Sequence, residues 1–106
     1  MTTPLTKLKN LGPKTQFYCN EIGIFSAEAF KAAGYMQVYL AIAGRYKHMR
    51  HRMALYAFYG ACTNMDCMRL PQEIKDQLEI ELQAALKKTP YGAADGLNQA
   101  VLHDLP

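Results

Sequence analysis

The residues of this chain with the clearest chemical capacity lie in one short stretch, Leu8-Lys9-Asn10-Leu11-Gly12-Pro13-Lys14-Thr15. Gly12 takes positive φ at little cost, and Asn10 is one of the few other residues that tolerate it. Pro13 suits the first position of a helix, where its missing N–H would have no partner. The spacing therefore predicts a tight turn, whose following helix directs its first amides outward, able to receive an anion such as a phosphate. Lys9 and Lys14 flank those amides, and Lys7 lies one turn back. The same residues also suit a purely structural stop and restart between two helices.

A second segment, Arg45-Tyr46-Lys47-His48-Met49-Arg50-His51-Arg52, holds six basic residues in eight. Arg50 and Arg52 fall near the start of a predicted helix, where positive charge opposes the helix dipole at a cost of roughly a few tenths of a kcal/mol each. Arg45, Lys47, Arg50 and Arg52, together with Lys7, Lys9, Asn10, Gly12 and Lys14, make a candidate surface for nucleic-acid phosphates. Alternatively, the arginines pair with Glu73, Glu79 or Glu81 further along. Tyr35, Tyr39, Tyr46, Tyr56 and Tyr59 could stack on bases. At helical spacing they equally suit a core with hydroxyls at its rim. Tyr46 is the exception, because it sits inside the basic run.

Other chemistry has little footing. His48 and His51 are three apart and Cys62 and Cys67 five apart, neither being the tight Cys-x₂-Cys of a zinc site. There is no glycine-rich phosphate loop, no recognisable nucleophile–base pair and no paired carboxylates at a cleft, so an enzyme and a cofactor are not expected. Cys67 follows Asp66, whose charge disfavours a thiolate. With Cys19, the cysteines number three, an odd count that suits reduced thiols.

The elements that must position these residues read as helices. A short one covers Thr3 to Asn10. The second runs from Pro13 to Ile22, with Phe17, Ile22 and Cys19 inward, and ends at Gly23. The third is capped by Ser26 and packs Ala29, Phe30 and Ala33 before Gly34. The fourth spans Tyr35 to Ala43 and stops at Gly44. The fifth, from Met49 to Cys62, is apolar all round through Met53–Tyr59 and should be the central one. Asn64 and Asp66 mark the next turn. The last runs from Pro71 to Lys88 with Ile74, Leu78, Leu82, Ala85 and Leu86 as its stripe. Residues 89–106 read as a weakly structured tail or docking helix, leaving 1–88 as the helical domain.

At 106 residues, half of them apolar, the chain is sized for one modest core. No apolar run reaches a membrane span, and the first residues lack a signal-peptide core, so a cytoplasmic protein is expected. Net charge is +3 but uneven. Residues 1–52 hold eight Lys/Arg against two Asp/Glu, and residues 53–106 four against seven. The basic half favours an anionic partner or a protein with an acidic face.

Taken together, the turn from Leu8 to Thr15, Gly23-Ile-Phe-Ser26, Ala33-Gly34 before a Tyr-rich helix, Met53-Ala-Leu-Tyr-Ala-Phe-Tyr-Gly-Ala61 and Leu70-Pro71 resemble the C-terminal domain of the TfoX/Sxy family of bacterial competence regulators. The resemblance covers about residues 5 to 86. It implies an all-helical fold with a helix-hairpin-helix-like element, and a role in activating genes for DNA uptake alongside a separate DNA-binding activator. The Asn-Leu-Gly turn is also similar to the hairpin that lies against DNA in the C-terminal domain of the bacterial RNA polymerase α subunit. Family members usually carry a further N-terminal domain, and a role that depends on it does not transfer. Cys67 stands where the family often has an aromatic residue.

The sequence thus predicts an all-α bundle of five to six helices with the hairpin near its N-terminus. It reads as a transcription regulator whose partner is DNA, a DNA-bound activator or RNA polymerase, with no membrane, metal or cofactor. The alternative is an interaction module that binds an acidic protein surface without touching DNA. A homodimer through Met65 and Met68 is a third reading.

Overall fold

A computed structural model of the chain describes residues 2–91. Five α-helices follow one another: α1 (Pro13–Glu21), α2 (Ala27–Ala33), α3 (Tyr35–Arg45), α4 (Arg52–Thr63) and α5 (Gln72–Lys88). Single 3-10 turns at Leu5–Lys7, Lys47–Met49 and Cys67–Arg69 lie before and between them. No strand occurs among the described residues. The tail beyond Tyr91 lies outside them.

The core is built around α3. Six consecutive residues, Val38 to Ala43, are buried, so this helix is enclosed on every side. The apolar run of the sequence points to α4 as the central helix, but α4 buries one face, with Ala54, Leu55, Phe58 and Ala61, and leaves Met53 exposed and Tyr56 and Tyr59 at the rim. α3 packs most closely on α4, and the Phe30 ring from α2 meets Phe58 edge-on at 5.8 Å. From α5, Leu78 and Leu82 enter the core, four residues apart on one face.

Local signals explain most boundaries. The Ser26 hydroxyl accepts from the Ala29 amide at 3.1 Å and caps α2. Gly34, at φ 90°, ends α2 and starts α3 in one residue, a conformation that an L side chain rarely adopts. Asn64, at φ 59°, closes α4 in the left-handed region.

Several boundaries differ from expectation. The first helix is a single 3-10 turn at Leu5–Lys7 rather than a helix to Asn10, and Leu5 plugs the core. The segment before it is tied to α2: the Ala27 amide donates to the Thr3 carbonyl, and Thr3 donates from its amide and hydroxyl to Glu28. The Thr3 amide leads the causes that hold the Glu28 carboxyl below its ordinary range. α3 runs through Gly44 to Arg45, and α4 starts at Arg52, with Met49 in the 3-10 turn before it. Phe17 is 54% exposed and its neighbour Tyr18 is buried instead, alongside Cys19 and Ile22.

Candidate nucleic-acid interface

The turn between Leu8 and Thr15 is fixed by Asn10. Asn10 adopts φ 72°, while Gly12 sits at φ −115° in extended backbone, so the left-handed residue of this turn is the asparagine and not the glycine. The Asn10 side chain faces inward. Its Nδ2 donates to the carbonyls of Met65 at 2.8 Å and Ala57 at 3.3 Å, and its Oδ1 accepts from the Cys67 amide at 3.2 Å. Asn10 thereby fastens the turn to the end of α4 and the loop after it, rather than presenting its amide to a ligand.

Gly12 is the N-cap residue of α1 and Pro13 its first residue. No side chain caps this end, so the first amides of the helix keep their capacity to meet an anion. Lys14, in the first turn of α1, and Lys7 and Lys9, in the segment leading to it, are exposed. Among the described residues no carboxylate comes within ion-pairing distance of them. Lys7 and Lys9 line a cleft of about 310 Å³ together with Lys31 and Glu28.

The basic run of 45–52 divides. Arg50 turns back on α3: its Nε donates to the Ala43 carbonyl at 2.7 Å and its Nη2 to that of Gly44 at 3.2 Å, satisfying carbonyls at the helix end. Its guanidinium also lies 4.6 Å from the centroid of the Tyr91 ring. Arg52 makes a two-pronged ion pair with Glu79 of α5, and Glu79 also accepts from Gln83. Arg52 leads the causes that hold the Glu79 carboxyl below its ordinary range. Glu81 instead accepts from the Tyr35 hydroxyl at 2.7 Å. The dipole conflict expected at the start of α4 is met by Glu79 and by His51, whose Nδ1 accepts from the Ala54 amide at 3.2 Å as an N-cap.

Arg45 and Lys47 remain exposed. Arg45 Nη1 donates to the Glu21 carbonyl at 2.8 Å, which places this side chain at the C-terminal end of α1. The hairpin lysines lie by the opposite end. A nine-residue helix is about 13 Å long, so the hairpin and the residual basic run are joined along α1 rather than merged.

Sequence spacing does not single out Phe17, Tyr18 and His48 as one group. The Tyr18 hydroxyl and His48 Nε2 share a hydrogen bond of 2.7 Å, and the Tyr18 and Tyr46 rings stand 4.8 Å apart. The exposure of Phe17 follows from the burial of Tyr18 on the adjacent helical position, which periodicity alone does not decide. The cysteines offer no reactive centre. Burial pushes the Cys19 thiol up to about 12 and raises Cys62, and burial followed by the Asp66 charge raises Cys67. Among the described residues no three His, Cys, Asp or Glu side chains gather as a metal site, and no helix is long and apolar enough to cross a membrane.

Geometry of this kind defines a small all-helical domain whose exposed basic residues, among the described ones, include Lys7, Lys9 and Lys14 before and at the start of α1 and Arg45 and Lys47 by its other end. The family model of the TfoX C-terminal domain matches residues 1–82, and the chain belongs to that family. No curated protein and no solved structure matches it.

Proposed function

We propose that this domain regulates transcription in bacteria, in the activation of genes for DNA uptake, and that the N-terminal end of α1 is the surface it presents to DNA or to the machinery bound to DNA. Family membership supports the regulatory role. The observation that carries the surface is the uncapped start of α1, with exposed Lys14 in its first turn and exposed Lys7 and Lys9 in the segment leading into it. Backbone amides and lysines at one helix end are a chemistry that phosphates fit. The domain acts in the cytoplasm by binding alone, without a reaction or cofactor.

A separate observation favours the second reading, an acidic protein partner. Arg50 and Arg52 are engaged by the end of α3 and by Glu79, which leaves fewer cations for a phosphate backbone than the sequence offers, and the Asn10 amide is used within the fold. Fluorescence anisotropy with a short labelled DNA duplex at two salt concentrations separates the two. Direct contact is supported by duplex binding that weakens with salt. Its salt slope should fall by roughly 0.9 for each phosphate-binding lysine removed in Lys7/Lys9/Lys14→Ala. Absence of binding at low salt removes direct contact in favour of the protein partner.

A further inference from the structure

We propose that Phe17, Tyr46 and His48 form a stacking platform for the bases of single-stranded nucleic acid. This goes beyond the hairpin reading and stands on a different observation, an aromatic cluster on the flank of α1.

On α1, Lys14, Phe17 and Glu21 recur at spacings of three and four along one side, with Tyr18 turned inward beside them. Phe17 is 54% exposed, as Phe25 is at 68%, but Phe17 alone of the two is packed against another aromatic ring among the described residues. Its ring meets that of Tyr18 edge-on at 5.6 Å. Tyr18 in turn lies 4.8 Å from Tyr46 and 5.7 Å from His48, ring centre to ring centre, and Tyr46 and His48 stand 6.0 Å apart. Phe17 from α1 and the Tyr46–His48 pair from the basic loop thus each pack against the buried Tyr18 ring.

The patch is held in place from within. The Tyr18–His48 hydrogen bond fixes the 3-10 turn against α1, and Arg45 clasps the Glu21 carbonyl. Tyr46 donates a longer bond of 3.4 Å to Glu21 Oε1. Exposed Lys14, Arg45 and Lys47 surround the rings, with Glu21 as the carboxylate of the cluster. Exposed rings among cations are the combination that grips unpaired bases: the charges track the phosphates, and the rings take the base faces that a duplex keeps stacked internally. Against a duplex, an exposed phenylalanine has no such surface to meet, and a purely electrostatic surface has no need of it.

The chain contains no tryptophan, so Phe17→Trp gives a single reporter at the patch. The probes are a labelled oligothymidylate of about 12 nucleotides, an abasic strand of the same length and charge, and a duplex. Oligothymidylate should quench the reporter fluorescence and bind at least about fivefold more tightly than the abasic strand. Phe17→Ala should erase that difference while leaving duplex affinity and the circular dichroism spectrum unchanged, and Phe17→Tyr should keep it. Equal affinity for the oligothymidylate and abasic strands, or an unchanged affinity in Phe17→Ala, overturns the proposal. Duplex binding that depends on Lys7 and Lys9 but is indifferent to Phe17, with no preference for oligothymidylate, overturns the platform and leaves the hairpin reading standing alone. Oligothymidylate binding through Phe17 without duplex binding would support the platform and remove direct duplex contact.

Discussion

Gly60 of α4 and the Asn10 side chain approach so closely that a Cβ at position 60 would overlap Asn10 Nδ2 and the Met65 carbonyl. Two residues 50 positions apart therefore set the geometry of the candidate hairpin together. A glycine in mid-helix costs about 1 kcal/mol relative to alanine. Here it leaves room for a polar bridge between α4 and the turn.

Gly60→Ala should destabilise the domain by about 2–4 kcal/mol, because the clash is with backbone oxygen that cannot swing aside, and this outweighs the helix-propensity gain. Asn10→Ala should destabilise it by a similar amount by stranding the Met65 carbonyl and the Cys67 amide. Urea unfolding reads both. A double variant no less stable than either single one would show that the two positions act as one unit.

Gly12 should behave in the opposite way. It has an extended φ and open space around its missing Cβ. Gly12→Ser should supply the side-chain cap that α1 lacks and change stability by less than about 1 kcal/mol, in the favourable direction. If the start of α1 holds a phosphate, the same substitution should weaken duplex binding, since the hydroxyl would occupy an amide the ligand needs. Thermal unfolding and anisotropy on one preparation test both statements.

Much of this organisation is legible in sequence where the signal is local. Ser26 with Glu28, Gly34, Asn64 and the Ile74–Leu78–Leu82 stripe each place an element, because the residues that decide them are neighbours in the chain. Asn10 is recognisable as a turn residue. Its spacing also suggests a ligand contact, because its actual partners are 47 to 57 positions away and invisible to local pattern. Arg50 and Arg52 look alike in the basic run, yet one closes the helix before it and the other reaches α5. His51 escapes notice as a cap because imidazole is an uncommon one. The choice between Phe17 and Tyr18 rests on a rotation of α1 that its weakly amphipathic sequence does not specify.

Acid should release the Arg52–Glu79 pair. The folded-state carboxyl titrates below the ordinary glutamate value of about 4.3, so the pair contributes fully above that value and its contribution is lost as pH falls through the lowered one. Both side chains are about 40% exposed, which limits the contribution to under about 1 kcal/mol. Glu79→Gln should flatten this part of the acid-denaturation curve and change little once the carboxyl is protonated, as followed by circular dichroism.

The thiols should react in a fixed order. Cys19 is buried with its pKa pushed up to about 12, so a disulfide reagent at mildly alkaline pH should leave it untouched until the protein unfolds. Cys62 and Cys67 are part-exposed with raised values and should react, but more slowly than a small thiol. Titration with Ellman's reagent, native and then in urea, should give two equivalents followed by a third.

The bridge from Asn10 to Met65 spans 55 positions, so the Leu8–Thr15 turn takes its final shape only once the chain as far as Met65 is available to fold. Closing so long a loop has an entropic cost that only the assembled α3–α4 core can offset. A nascent chain halted before Met65 would carry the lysines without the geometry that aligns them. Competence to bind at the hairpin is in this sense a property of the finished domain.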